Sequence, residues 1–208
     1  MTYNLTELLQ SSSSRHDHLC PRQVLGVRMG LAGLAALGLE APISKRTGLV
    51  IVETDGCFAD GIEVSTGATV GHRTLRVNDL GKIAATFADI QSRRTIRLSP
   101  SADVRQRVHQ YASKEERRYF AQLQGYQVMP DEELFQIQEV ELTPPLAYLL
   151  GKPSARVQCD LCGEEIINER QVQSGDIILC RTCAQQGYYQ PAHTQVTSCS
   201  LAINSRIN

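Results

Sequence analysis

The chain has 208 residues, 42% of them apolar, with 21 basic and 22 acidic side chains and a formal net charge of -1. This is enough for one ordinary domain plus a small module, and it argues against a disordered or fibrous chain. The near balance of charge supplies no bulk attraction for nucleic acid or for a membrane surface.

The opening segment MTYNLTELLQSSSS lacks the basic start and apolar centre of a secretory signal, so the expected location is the cytoplasm. Disulfides are reduced there. Seven cysteines, four of them in two CxxC pairs, then suit metal ligation or thiol chemistry better than a disulfide framework. Residues 2–10 are expected to form a short helix that the serine run 11–14 breaks. Pro21 opens a longer helix reaching about Leu39. Its apolar stretch MGLAGLAALGL, flanked by Arg28 and Glu40, is about half of the roughly 20 residues a bilayer requires, so it reads as a buried helix with no membrane partner. Gly26, Gly30 and Gly33 lower its intrinsic helicity, and close backbone approach in a core or at a subunit interface is the expected compensation.

The β-branched run GLVIVET at 48–54 reads as a buried strand ending at the turn pair Asp55-Gly56, and a helix follows from Cys57 to about Ser65. Over 73–98, apolar residues alternate around turn signals at 78–81 and 92–94, the pattern of an antiparallel meander. Ser99-Pro100-Ser101 supplies a helix start, after which Val104, Val108, Tyr111, Tyr119, Phe120 and Leu123 share one face of a long helix or two short ones. FQIQEVEL, after Pro130, alternates as a strand that Pro144 and Pro145 end, and GKPSA at 151–155 reads as a linker. The expected fold class is α+β, a mixed or antiparallel sheet packed with helices over 1–150, with a small treble-clef or ribbon-like finger in 151–208.

The finger rests on CDLCGEEIINERQVQSGDIILCRTC, where Cys159 and Cys162 are separated by seventeen residues from Cys180 and Cys183. Each CxxC turn presents two thiolates, and the spacer can form a hairpin that closes a tetrahedral S4 site. Zinc suits that site; with all four positions filled by sulfur its role is structural, and it supplies folding free energy that a module of about 30 residues lacks. An iron–sulfur centre or a redox dithiol pair is the alternative. Arg170, Arg181 and Lys152 are too few to choose between nucleic acid and protein as partner of the finger.

A second constellation is SRHDHLCPRQ. In extended backbone, His16, His18 and Cys20 project to one side, and Cys20 at the cap of the next helix meets a dipole that favours a thiolate. Cys57, at the start of another helix, can converge with it into a mixed His/Cys metal site. The plainer reading makes the cysteines small buried residues and the histidines exposed loop residues.

HDHLCPRQVLGVRMG followed by ETDGCFADGIEVSTGATVGHRTLRVNDLGKIAATF resembles the two sequence blocks of the FmdE family of formylmethanofuran dehydrogenase proteins, over about residues 14–98 and in the same order. The C-terminal CxxC pairs resemble the zinc finger that some members append. The resemblance implies an α+β core in an intertwined homodimer, a metal near the His/Cys block and peripheral fingers. Its candidate ligands are His16, His18, Cys20 and Cys57, with Asp60, Thr66, Gly67 and Lys82 in matching blocks. Asp17 and Arg22 replace typical glycines, and Ala68 stands where many members have a further cysteine, so the resemblance reaches the fold more fully than any bound ligand.

His72 and His109 read as ordinary surface residues, the arginines around His109 as a solvated face interrupted by acids, and Cys199 as an exposed thiol in the tail. There is no dinucleotide fingerprint, P-loop or Gly-x-Ser-x-Gly elbow. The leading expectation is therefore a cytoplasmic, homodimeric FmdE-like metal-binding protein, an accessory, regulatory or metal-sensing partner in redox or one-carbon metabolism. It carries a structural zinc and a second metal, zinc by preference, in the core. The alternatives are a metal-dependent enzyme with an open His/Cys position and a zinc-finger regulator that binds DNA or RNA.

Overall fold

Close glycine contacts between two parallel helices set the arrangement of the core. The computed structural model describes residues 4–151 and 156–190 and divides the chain into two compact units, 1–150 and 151–208. Residues 152–155 of the expected linker, and Cys199, lie outside the described residues. In the first unit, α1 (Leu5–Ser13) starts at Asn4, whose side chain accepts from the Thr6 N–H. The serine run does not break this helix early. The Ser13 and Ser14 hydroxyls donate back to the carbonyls of Gln10 and Ser11 and finish its last turn.

α2 (Pro21–Leu37) has proline at its first position and ends at Gly38, whose φ of 66° is left-handed. β1 (Gly48–Val52) leads through the Asp55-Gly56 turn into α3 (Cys57–Thr66), which Gly67 terminates with a φ of 67°. α2 and α3 run in the same direction in backbone contact. A Cβ on Gly26 would lie 2.3 Å from the Phe58 carbonyl oxygen, one on Gly61 2.6 Å from that of Gln23, and one on Gly30 1.9 Å from Ser65 Oγ. Such distances leave no room for any side chain, so the expected close approach holds between these two helices. Val24, Val27 and Met29 of α2 with Phe58 and Ile62 of α3 are fully buried in the core.

β2 (Leu75–Val77), β3 (Ala85–Asp89), β4 (Thr95–Pro100) and β5 (Phe135–Glu139) complete a five-stranded sheet of order β2-β1-β3-β4-β5. The meander expectation fails at one junction, since β2 pairs with β1 in parallel and never with β3. The turn signals at 78–81 belong to a crossover around the end of β1. Asn78 N–H donates to Val52 O and those of Leu80 and Lys82 to Glu53 O, while Glu53 N–H donates to Ala84 O. The apolar run of β1 is that of a central strand needing partners on both edges, and the crossover takes the chain from one edge to the other.

The second turn is the expected hairpin: the Asp89 carboxylate accepts from the N–H groups of Gln91 and Ser92 and from the Ser92 hydroxyl, which holds its pKa below the usual aspartate value. Val50, Val52, Phe87, Ile96 and Leu98 face the helices. On the opposite face Arg97 clasps the buried Glu53 through two bonds, of 2.5 and 2.8 Å.

The single apolar face at 104–123 resolves into α4 (Val104–Tyr111) and α5 (Arg118–Val128), followed by the short α6 (Asp131–Leu134). Arg28 of α2 donates to the carbonyls of Tyr126 and Met129 and pairs with Asp131 at 2.6 Å, fixing the C-terminal end of α5 to the core. The unit closes with α7 (Leu146–Leu150), whose Leu149 carbonyl accepts from Arg76 on β2.

The second unit is two small antiparallel ribbons, β6 (Arg156–Gln158) with β7 (Glu165–Ile167) and β8 (Val172–Ser174) with β9 (Ile177–Leu179). Among its described residues only Cys159 and Ile166 are buried. No helix among the described residues is long and apolar enough to cross a membrane.

Candidate functional site

Each CxxC of the second unit follows a ribbon strand. Cys159 and Cys162 occupy the turn between β6 and β7, where Cys159 N–H donates to Glu164 O, Gly163 N–H to Cys159 O, and Gly163 takes the left-handed φ of 74° that the tight turn needs. Cys180 and Cys183 follow β9. Asp160 joins the two parts: its N–H donates to Ile178 O and its carboxylate accepts from Ile178 N–H at 2.6 Å.

The four sulfurs gather within 4.8 Å of one another. Backbone donors already point at them, with Cys180 N–H 3.2 Å from Cys159 Sγ and Cys183 N–H 3.4 Å from Cys180 Sγ. The N–H groups of Cys162 and Cys180 lower the Cys159 thiol to about 6, whereas the neighbouring Cys180 sulfur is the first cause raising Cys183 to about 12. Four like thiols crowded this closely cannot all ionise without a cation among them. The donor set fits a tetrahedral thiophilic metal with no open position.

The first unit brings together only part of the His/Cys block. Cys20 caps α2 in extended backbone, where its N–H donates to the buried Gln23 Oε1 at 2.8 Å, and Gln23 Nε2 reaches back to Ser12 O. Cys57 opens α3. Because the two helices are parallel and in contact from this end, both half-buried thiols sit at a shared end. Burial, and then the adjacent Cys20 sulfur, raise the Cys57 thiol above its ordinary pKa.

His16 pairs with Asp60, with Nε2 2.6 Å from Oδ2, and Arg15 beside it reaches Asp60 at 3.4 Å and Glu63 at 2.5 Å. His18 is exposed. Among the described residues no third His, Cys, Asp or Glu joins the two core thiols within the radius that unites the finger cysteines.

The matching-block residues have local structural uses. Thr66 Oγ1 donates to Ile62 O at 2.6 Å and accepts from Ala68 N–H, and Gly67 carries the left-handed cap against Pro42. Lys82 lies in the crossover, exposed at its turn. His72 Nδ1 bonds Thr69 Oγ1 at 3.0 Å in a local turn, and His109 is exposed on α4.

Tyr119 is the site residue that sequence reasoning did not find. Its hydroxyl lies 3.4 Å from Leu19 O, and its pKa is raised by burial and by both Cys20 and Cys57. At a separation of a hundred residues from Leu19, the only signal it carries is a place on a helix face.

An α+β unit with paired thiols, joined to a four-cysteine ribbon module able to hold a metal, defines a two-part candidate metal-binding protein. The model of FmdE, described as "FmdE, Molybdenum formylmethanofuran dehydrogenase operon", matches residues 15–136, and the chain belongs to that family. A relative from Archaeoglobus fulgidus, described as a probable S-adenosyl-L-methionine-binding protein, is 31% identical over 88% of this chain and 54% of its own length. The chain thus spans about half of that relative. A crystal structure of a tungsten formylmethanofuran dehydrogenase FmdE-like protein from Syntrophus aciditrophicus shares the fold, with a TM-score of 0.59 and 21% identity, over 91% of this chain and 96% of that one.

Proposed function

We propose that this protein is an accessory metal-binding member of the FmdE family whose finger holds one structural zinc through Cys159, Cys162, Cys180 and Cys183. The observation that carries this reading is the gathering of four sulfurs within 4.8 Å in a module whose described residues bury almost no apolar side chain. The core then serves as the working part, a cytoplasmic homodimer that regulates or senses beside redox or one-carbon chemistry, a role supported by the operon named in the family's description. A second metal would sit at Cys20 and Cys57 with His16 and His18 as the remaining candidate ligands.

Elemental analysis tests both metals. One zinc per full chain is expected, lost in the Cys162→Ser/Cys180→Ser variant and kept in Cys20→Ser/Cys57→Ser. A metal-free full chain overturns the reading, and a second equivalent lost only with the core variant establishes the core metal. Size-exclusion chromatography with light scattering tests the homodimer, which a monomeric mass refutes. The likeness to the Archaeoglobus fulgidus protein favours a second reading, a binder of S-adenosyl-L-methionine. Calorimetric titration decides it, since absence of binding at millimolar ligand removes that reading from this chain.

A further inference from the structure

We propose that the end of the core sheet opposite the two thiols is a surface for the phosphate backbone of a nucleic acid duplex. The inference goes beyond the zinc reading and uses no residue of the finger. The near-zero net charge of the whole chain conceals a local excess of cations at this end, where three turns meet. Ile43 N–H donates to the carbonyl of Thr66, the last residue of α3, and the turn at 44–47 then leads into β1. The hairpin turn at 90–94 lies beside it, since Ile90 N–H donates to Thr47 O at 3.1 Å. The turn at 69–74 delivers β2 to the same end, where Val50 N–H donates to Thr74 O at 2.8 Å. Together the three turns carry Lys45, Arg46, Arg73, Arg93 and Arg94, all exposed, and contain no aspartate or glutamate.

Backbone conformation singles out two of these cations. Arg73, with a φ of 60°, and Arg93, with a φ of 62°, are the only non-glycine residues with left-handed backbone among the described residues of the first unit. Glycine or asparagine would satisfy either turn with less strain, so the sequence keeps arginine there at a conformational cost. The turns hold both in place: Arg73 N–H donates to Val70 O and Thr69 N–H to Thr74 Oγ1, while the Asp89 carboxylate clamps the hairpin. Among the described residues no carboxylate pairs with Lys45, Arg46, Arg73 or Arg93, and Arg94 is engaged by Glu139 at 3.1 Å.

In sheet order the row runs from Arg73 at β2, through Lys45 and Arg46 at β1, to Arg93 and Arg94 between β3 and β4. Strands lie about 4.8 Å apart, so these three spacings cover on the order of 14 Å, the reach of several phosphates on a duplex with one charge per roughly 1.7 Å. Guanidinium forks match phosphate oxygens. The three turns contain no aromatic residue, hence no platform for an unpaired base and no anchor of the kind that centres a protein interface. Contacts of this kind position the backbone and do not read sequence. The finger offers no such surface, since residues 156–190 have three arginines against five acidic side chains.

The test titrates the full, zinc-loaded chain into fluorescein-labelled duplex DNA of about 20 base pairs and follows anisotropy from about 50 to 200 mM salt. Saturable micromolar binding is expected at the lower salt, with log K falling against log salt at a slope of about -3.6, as for four neutralised phosphates. Arg73→Gly/Arg93→Gly removes two charges and relieves the left-handed strain, so its melting temperature is expected to hold. Its slope is expected to be shallower by about 2 and its affinity roughly tenfold lower at the low-salt end. No binding at about 50 mM salt, or binding unchanged in that variant, overturns the proposal. Binding lost in Arg170→Ser/Arg181→Ser instead moves the site to the finger and also overturns it. Polyglutamate that competes as well as unlabelled duplex overturns the phosphate assignment in favour of an acidic protein. Duplex RNA of the same length shares the phosphate chemistry, and the tighter of the two duplexes names the source. Because zinc is counted separately, failure here leaves the finger reading standing.

Discussion

The two units reach order by opposite means. The core unit buries a continuous apolar cluster from Leu9 to Phe135 and seats two helices backbone to backbone, whereas the described part of the finger buries only Cys159 and Ile166. Apolar burial stabilises at roughly 25 cal/mol per Å², so the first unit has its own driving force and the described part of the second has almost none. What the finger has instead is four sulfurs aimed inward. The same residue type thus serves two physics in one chain: in the finger cysteines substitute for a core, and in the core unit they stand half-buried at the starts of two helices.

The sharpest way to break this comparison is to remove the metal. Chelation, or Cys162→Ser, is expected to abolish hydrogen-exchange protection over 156–190 while the core peptides keep theirs, since structural zinc contributes on the order of 10 kcal/mol to such modules. Retained protection in the finger would refute the contrast. The mirror experiment attacks the core alone. Gly61→Ala places a methyl 2.6 Å from the Gln23 carbonyl oxygen and 2.7 Å from the Val27 nitrogen, and is expected to cost about 3 kcal/mol in denaturant unfolding with zinc content unchanged.

Two smaller changes sharpen the account of the sheet. Glu53→Gln strips the charge from the pair with Arg97; as the guanidinium side is 27% exposed, a loss of about 2 kcal/mol is expected, below that for a fully enclosed pair. Asp89→Asn is expected to cost about 1 kcal/mol at neutral pH. Asp89 has a depressed folded pKa, so its contribution is present above the unfolded value and is lost as pH falls through the folded one. The variant and the parent should therefore converge in stability in acid, and a gap unchanged down to the acid limit would deny Asp89 this role.

Much of this was legible from residue order because the signals were local. Pro21 and Gly38 bound α2, the turn Asp55-Gly56 separates β1 from α3, and the CxxC spacing announces the finger cluster. The position of β2 was not, because alternation marks a strand without naming its partner. The deciding bonds, from Leu80 and Lys82 to the Glu53 carbonyl, are backbone bonds that no side chain advertises. At the core site the cysteines could be found by their places at helix starts, but the pairing of His16 with Asp60 and the arrival of Tyr119 depend on contacts across 44 and 100 residues.

The glycine seam between α2 and α3 also makes the chain sensitive to length as well as to side-chain identity. One residue added between Cys57 and Phe58 would leave the seam intact yet turn the cysteine by about 100° around its helix, since roughly 3.6 residues make a turn. The helices would still pack, and Cys57 would face another side of α3. The seam is thus a gauge in which insertions and deletions are converted into angles.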